Sequence, residues 1–253
     1  MINIGLIGFG RIGKKYYKTI LDNKNYNLIK ILKKKKFKKT KQFKKFFTNK
    51  YKFFSYKKKE TDAYIVASPI NTHYKYIIEV LSQKKPIIIE KPIVANLKEL
   101  NKFLKLSKDL KSPLIVNYSD LYSDEFKFFK KKIKLIGKFK KIKIDFGKFQ
   151  KIYRQNKNTV YPYFDWLPHP LAIAISLAGP AQKINMIHAD TVIIKKYIFQ
   201  KIHLSLNCKN KKIDIFFSNN YKRPRRLIEI KGEKGTVIYD LYKKKSVICK
   251  LKN

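Results

Sequence analysis

The sequence predicts an α/β chain: a doubly wound parallel sheet in its N-terminal half, then an α+β domain with a mostly antiparallel sheet. Three observations predict it. Short apolar strands alternate with amphipathic helical stretches up to residue 117. A glycine-rich turn joins the first strand to the first helix. After about residue 120 the alternation gives way to long strands with two- and three-residue links.

In order, 2–7 (INIGLI) reads as a short buried strand, followed by a helix with Ile12, Tyr16, Ile20 and Leu21 on one face. Residues 27–32 form a second strand. The lysine-rich 33–59 holds one helix around 42–47, 62–67 is a strand and 73–83 an amphipathic helix. A strand at 86–89 precedes a helix at 97–110, with Leu97, Leu100, Phe103, Leu104 and Leu110 toward the core, and 114–117 closes the series. The domain boundary falls here, giving domains 1–117 and 118–253. The second domain begins with a helix at 126–135, a strand at 140–149 and a helix at 171–177. Strands follow at 184–194, 197–208, 211–218, 227–231, 235–241 and 246–251. The links Lys209-Asn210 and Gly232-Glu233-Lys234 suggest an antiparallel meander.

Composition narrows the class. The 253 residues are 44% hydrophobic and 14% aromatic, enough to bury a core in one or two domains. The formal net charge of +43 invites a nucleic-acid reading, but the lysines run along the whole chain. Only Arg11, Arg154, Arg223, Arg225 and Arg226 are arginines, the usual readers of phosphates and guanines. Lys, Asn, Ile, Phe and Tyr, all with AT-rich codons, are abundant together, so an AT-drifting genome accounts for the charge. No specific nucleic acid is expected. Cys208 and Cys249 have no metal-ligand spacing and read as small hydrophobes in a reducing compartment. With no apolar run of secretory or membrane-spanning type, the expected location is the cytoplasm, with no membrane partner.

The chemistry is carried by short motifs. Gly8-Phe9-Gly10-Arg11-Ile12-Gly13 is a GxGxxG between a strand and a helix, the setting of a Rossmann dinucleotide site. Gly8 permits the turn, Gly10 lets a pyrophosphate approach, Gly13 lets helix and strand pack, and the helix start offers N–H groups to phosphate. The acid that usually grips a ribose 2′-hydroxyl is missing. Lys33 stands at its position, which favours NADP slightly over NAD. Downstream, Ser68-Pro69-Ile70-Asn71-Thr72-His73 ends one strand and Glu90-Lys91-Pro92 ends another.

These motifs, in this order, resemble the glucose-fructose oxidoreductase/inositol dehydrogenase (Gfo/Idh/MocA) family. Asp165-Trp166-Leu167-Pro168-His169 resembles its D-x-x-x-H element, and 231–236 (KGEKGT) its late G-x-x-G-T turn. The resemblance implies that Lys91 lies near the reacting carbon and Glu90 near the nicotinamide ribose. It implies that Ser68, Pro69, Asn71 and His73 line the cofactor cleft, although His73 could equally cap a helix. Asp165 and His169 would complete the catalytic set. In that picture His169 exchanges the hydroxyl proton, Lys91 holds the substrate oxygen, and Asp165 orients His169 or binds a neighbouring hydroxyl. Pro168 and Pro170 place a helix start at His169, so Asp165 and His169 need not share a helical face. The substrate would be a sugar, nucleotide sugar or related polyol. A homodimer or homotetramer would form through the C-terminal sheet, with Ile202, Leu204 and Leu206 as the candidate apolar face. Two alternatives stay open: a non-catalytic nucleotide sensor of this fold, and a basic nucleic-acid-binding protein.

Overall fold

A computed structural model describes residues 1–32, 47–48, 61–107, 112–153, 162–243 and 245–252, with 47–48 described by backbone alone. It divides into two compact units, Met1–Asn117 and Tyr118–Asn253.

The first unit is a six-stranded parallel sheet in the order β3-β2-β1-β4-β5-β6. Its strands are β1 (Ile2–Ile7), β2 (Tyr26–Leu32), β3 (Phe47–Thr48), β4 (Ala63–Val66), β5 (Ile87–Glu90) and β6 (Leu114–Asn117). The central strands are nearly continuous Ile, Leu and Val because helices cover both faces. Those helices are α1 (Arg11–Leu21), α2 (His73–Leu81) and α3 (Leu97–Ser107). One apolar cluster joins Leu6, Ile20, Leu28 and Ile31; the other joins Val66, Ile77, Val80, Ile89 and Phe103. Strand order reverses beside β1, so the carboxyl ends of β1 and β4 flank the crevice where such sheets bind ligands.

Some sequence expectations shift. Phe47 belongs to a strand instead of ending a helix, and the rest of that expected helix lies outside the described residues. On α3, Phe103 is buried and Leu100 packs against the core, whereas Leu97 and Leu104 are exposed. Leu21, expected on the buried face of α1, is also exposed. Both helices therefore bury a narrower stripe than their leucines suggest.

The second unit is built on β7 (Phe139–Gly147), β8 (Ile152–Tyr153), β9 (Lys183–Ile194), β10 (Tyr197–Cys208), β11 (Lys211–Ser218), β12 (Arg225–Gly232), β13 (Gly235–Asp240) and β14 (Val247–Leu251). The order is β14-β13-β12-β7-β11-β10-β8, with β9 also paired to β10. This corrects the simple meander: β7 lies between β11 and β12 and runs parallel to β11. Burial explains the insertion. Ile142, Ile144 and Phe146 are fully buried, so β7 needs neighbours on both edges and a helix layer over it.

That layer is α4 (Asp124–Ile133), α5 (Pro162–Trp166) and α6 (Pro168–Ala178). Ser123 caps α4 by accepting the Phe126 N–H, with Asp124 and Glu125 in its first turn and Lys130–Lys132 in its last, as the helix dipole favours. Phe126 and Phe129 then pack on Tyr239. Ile202, Leu204 and Leu206 join Ile173 and Ala174 in the same cluster. The face expected to need a partner is thus covered by the chain's own helices.

Candidate active site

The glycine turn follows β1 at the carboxyl edge of the first sheet. Gly8 has φ +95°, and a Cβ there would sit 2.5 Å from the Ala67 carbonyl oxygen. At Gly13 a Cβ would lie 2.3 Å from the Gly8 carbonyl oxygen, so α1 can approach the turn only without a side chain. Gly10 differs: a Cβ would meet nothing within 4 Å. Gly10 is also the N-cap of α1 and offers no side-chain cap, leaving the first-turn N–H groups facing an open position. Arg11 is exposed at that helix start and Ile12 is half-buried. Phe9 contributes only backbone, since its ring is buried edge-on against Tyr17. Lys33 lies outside the described residues.

The neighbouring strand ends are tied together. The hydroxyls of Ser68 and Thr72 are 2.7 Å apart, and Thr72 Oγ1 donates to the Pro69 carbonyl. Pro69 and Asn71 are exposed beside them. His73 is 1% exposed, with Nδ1 2.9 Å from the Pro92 carbonyl oxygen and Nε2 2.8 Å from that of Ser68. This corrects its expected place lining the cleft. Both ring nitrogens are engaged by backbone, so His73 instead fixes the loop after β4 to the loop carrying Lys91. The Lys91-Pro92 peptide is cis, and Lys91 is half-buried.

Glu90 Oε1 accepts from the Tyr16 hydroxyl at 2.9 Å and from Asn117 Nδ2 at 2.8 Å. Burial first, and the Glu90 charge second, push the Tyr16 phenol well above its usual range, so it stays protonated and donates. The sequence pattern offers Tyr16 only as part of the apolar face of α1 and Asn117 only as the end of a strand. Nothing in the spacing of residues 16, 90 and 117 marks them as neighbours until α1, β5 and β6 pack.

In the second unit, His169 lies at the start of α6. Its Nδ1 donates to Asp120 Oδ2 at 2.7 Å, while Arg226 Nη1 donates to Asp120 Oδ1 at 3.0 Å. Asp120 is 8% exposed. It sits in a short 3-10 turn (Ser119–Tyr122) just after the first sheet ends. The carboxylate on His169 Nδ1 is thus Asp120, where Asp165 was one expectation; Asp165 is exposed on α5. The helical path also begins earlier than expected, at Pro162. Pro168 and Pro170 lack N–H groups and interrupt the hydrogen-bond ladder, but their fixed φ suits a helix, and Leu167 between the two segments keeps helical angles. Asp120 had one sequence signal: it is among only 17 acidic residues in a chain with 60 basic ones, three positions after the segment 114–117. A cavity of about 420 Å³ opens beside it, lined also by Ser119, Ser123, Glu125, Tyr239 and Lys243.

Comparison with known proteins joins these observations. Residues 2–118 match the oxidoreductase family GFO_IDH_MocA, described by its NAD-binding Rossmann fold. No curated protein matches the chain in sequence. Among solved structures, a protein of Magnetospirillum magnetotacticum assigned as an oxidoreductase superposes with TM-score 0.84 at 19% identity, covering 100% of this chain and 81% of that one. Biliverdin reductase of Synechocystis, solved with biliverdin and NADP+, gives 0.77 at 13% identity over 99% of this chain and 84% of its own. A Sinorhizobium meliloti protein assigned as a myo-inositol dehydrogenase gives 0.79 at 19% identity over 100% and 82%. These likenesses establish the fold of both units. Residues 2–118 therefore match the NAD-binding Rossmann domain of the Gfo/Idh/MocA oxidoreductase family.

Proposed function

We propose that the chain is an NAD(P)-dependent dehydrogenase or reductase acting on a carbinol or carbonyl carbon of a sugar, nucleotide sugar or related polyol. The observation that carries this reading is the glycine turn. Two of its glycines are required by backbone contact, while the third faces open space over an uncapped helix start, where a Cβ would fill the cradle of a pyrophosphate. The bound nicotinamide would supply the hydride acceptor or donor. The chain's residues would supply the rest. The Lys91 ammonium would hold the substrate oxygen and stabilise negative charge on it. His169 would take the hydroxyl proton on Nε2, because Nδ1 already donates to Asp120. The hydroxyls and carboxylates lining the cavity beside Asp120 suit a polyol. The Synechocystis relative with bound NADP+ and the inositol dehydrogenase relative support the reading.

The test is fluorescence titration with NADPH and NADH, followed by turnover with a panel of polyols and nucleotide sugars. Gly10→Val should abolish cofactor binding, and wild-type affinity in that variant would refute the site. NADPH should bind slightly better than NADH through Lys33, and Lys33→Asp should move the preference toward NADH. The proposed location is the cytoplasm, supported by the free thiols of Cys208 and Cys249. Among the described residues no helix is long and apolar enough to cross a membrane. The proposed assembly is a homodimer or homotetramer through the second sheet. Its contact is edge strand β9, where Ile184, Met186 and Ile187 are more than half exposed.

A further inference from the structure

We propose that Arg226 is a positioning residue. By claiming one oxygen of Asp120, it turns the other oxygen toward His169, and the carboxylate so oriented fixes the ring proton on Nδ1. The inference rests on the reading of His169 as the acid–base group, but it concerns the apoprotein and is tested there.

The geometry has three parts. Arg226 Nη1 donates to Oδ1 of Asp120 and His169 Nδ1 to Oδ2, so the carboxylate is divided between two donors and neither competes with the other. Arg226 itself is held in place. Its guanidinium carbon lies 5.5 Å from the Trp166 ring centre and 5.7 Å from that of Phe146, and β12 pairs with β7 at Arg226 and Phe146. Asp120 is nearly buried, so departure from either donor would cost a desolvated charge its partner. A carboxylate only accepts, so the ring nitrogen facing it must carry the proton. Nε2 is then the bare nitrogen, which is the form a base needs.

Replacing Asp120 by Asn makes the role of Arg226 visible. An amide has one accepting and one donating end. Arg226 can only donate, so it captures the amide oxygen and turns the NH2 toward His169. Nδ1 must then become an acceptor, and the ring proton moves to Nε2. If Arg226 is also removed, the amide is free to rotate, its oxygen returns to Nδ1–H and the original tautomer is restored. A role confined to packing would not be reversed by a second loss.

The measurement is long-range 1H–15N NMR of the histidine rings in the apoprotein at alkaline pH. The chain has only four histidines, and His169→Gln assigns the signal. Expected are the Nδ1–H tautomer in wild type and in Arg226→Met, the Nε2–H tautomer in Asp120→Asn, and return to Nδ1–H in the double variant Asp120→Asn/Arg226→Met. Wild type showing Nε2–H would overturn the arrangement without any variant having to fold. Asp120→Asn keeping Nδ1–H, or a folded double variant keeping Nε2–H, would overturn the role of Arg226. NADPH titration of the same samples tests the oxidoreductase reading separately. Loss of binding in wild type would sink that reading and leave the tautomer result standing.

Discussion

Gly13→Ala and Gly10→Ala separate what the glycine turn does for the fold from what it does for a ligand. At position 13 the new methyl would stand 2.3 Å from the Gly8 carbonyl oxygen and 3.0 Å from its carbon. Real contacts of this kind do not fall below about 3 Å, and both atoms are backbone, so α1 must withdraw from β1. Such overpacking typically costs about 1–3 kcal/mol. Because both clashing atoms are backbone, the cost lies in the upper part of that range, roughly 2–3 kcal/mol; alanine's helix propensity returns about 1 kcal/mol, leaving a net loss of about 1–2 kcal/mol. At roughly 2–4 °C per kcal/mol for a chain of this size, the melting temperature should fall by several degrees. At position 10 nothing lies within 4 Å. Losing a glycine N-cap costs a few tenths of a kcal/mol, and stiffening the unfolded chain returns about as much. Stability should thus stay within about 0.5 kcal/mol while NADPH affinity falls. Circular-dichroism melts with parallel NADPH titrations check both variants. A Gly13→Ala protein that melts with wild type, or a Gly10→Ala protein that unfolds early but binds normally, would refute the division of labour.

Lys91→Ala and His169→Ala should each lower turnover by about 10²- to 10⁴-fold with cofactor affinity nearly unchanged, read by steady-state kinetics beside NADPH titration. Removing the α4 cap with Ser123→Ala should cost about 1 kcal/mol in a urea melt, because the Phe126 N–H loses its acceptor. Asp214 is buried, which pushes its carboxyl up, but the ion pair with Lys141 and the neighbouring Ser205 outweigh burial and hold it below its usual value. A lowered carboxyl stabilises the fold above its unfolded value, and that contribution fades as pH falls below about 4. Asp214→Asn should therefore flatten the fall of melting temperature with acidity there; an unchanged slope would remove the pair from the account. Sedimentation should show an oligomer at micromolar concentration that Met186→Lys/Ile187→Lys converts to monomer. A wild-type monomer would end the β9 proposal.

Local pattern carried much of this protein. The glycine turn is legible because Gly8 answers the positive φ of the turn and Gly13 the close approach of α1 to it. The strands Tyr197–Cys208 and Lys211–Ser218 are legible because alternate residues must be apolar wherever one face of a sheet is covered. The ends of α1 and α3 were less so. Leu21, Leu97 and Leu104 match the period of a buried face yet remain in solvent, because the stripe a helix buries depends on how far its neighbours extend.

Sequence alone determined most of the strands and helices, the glycine turn after the first strand, and the place of Lys91 just after a buried strand. Those properties depend on neighbours within a few positions along the chain. Tertiary structure decided the rest. It put β7 between β11 and β12, so Ile202, Leu204 and Leu206 face the chain's own helices. The resulting register also lines up Lys183, Lys212, Lys141, Lys231 and Lys250 along one cross-strand row, an order their sequence positions do not suggest. It gave Asp120 to His169 in place of Asp165. It closed Tyr16 and Asn117 on Glu90 across separations of 74 and 27 residues. A hydrogen bond between distant residues leaves no periodicity in sequence, because its geometry exists only once the elements that carry the two groups have packed.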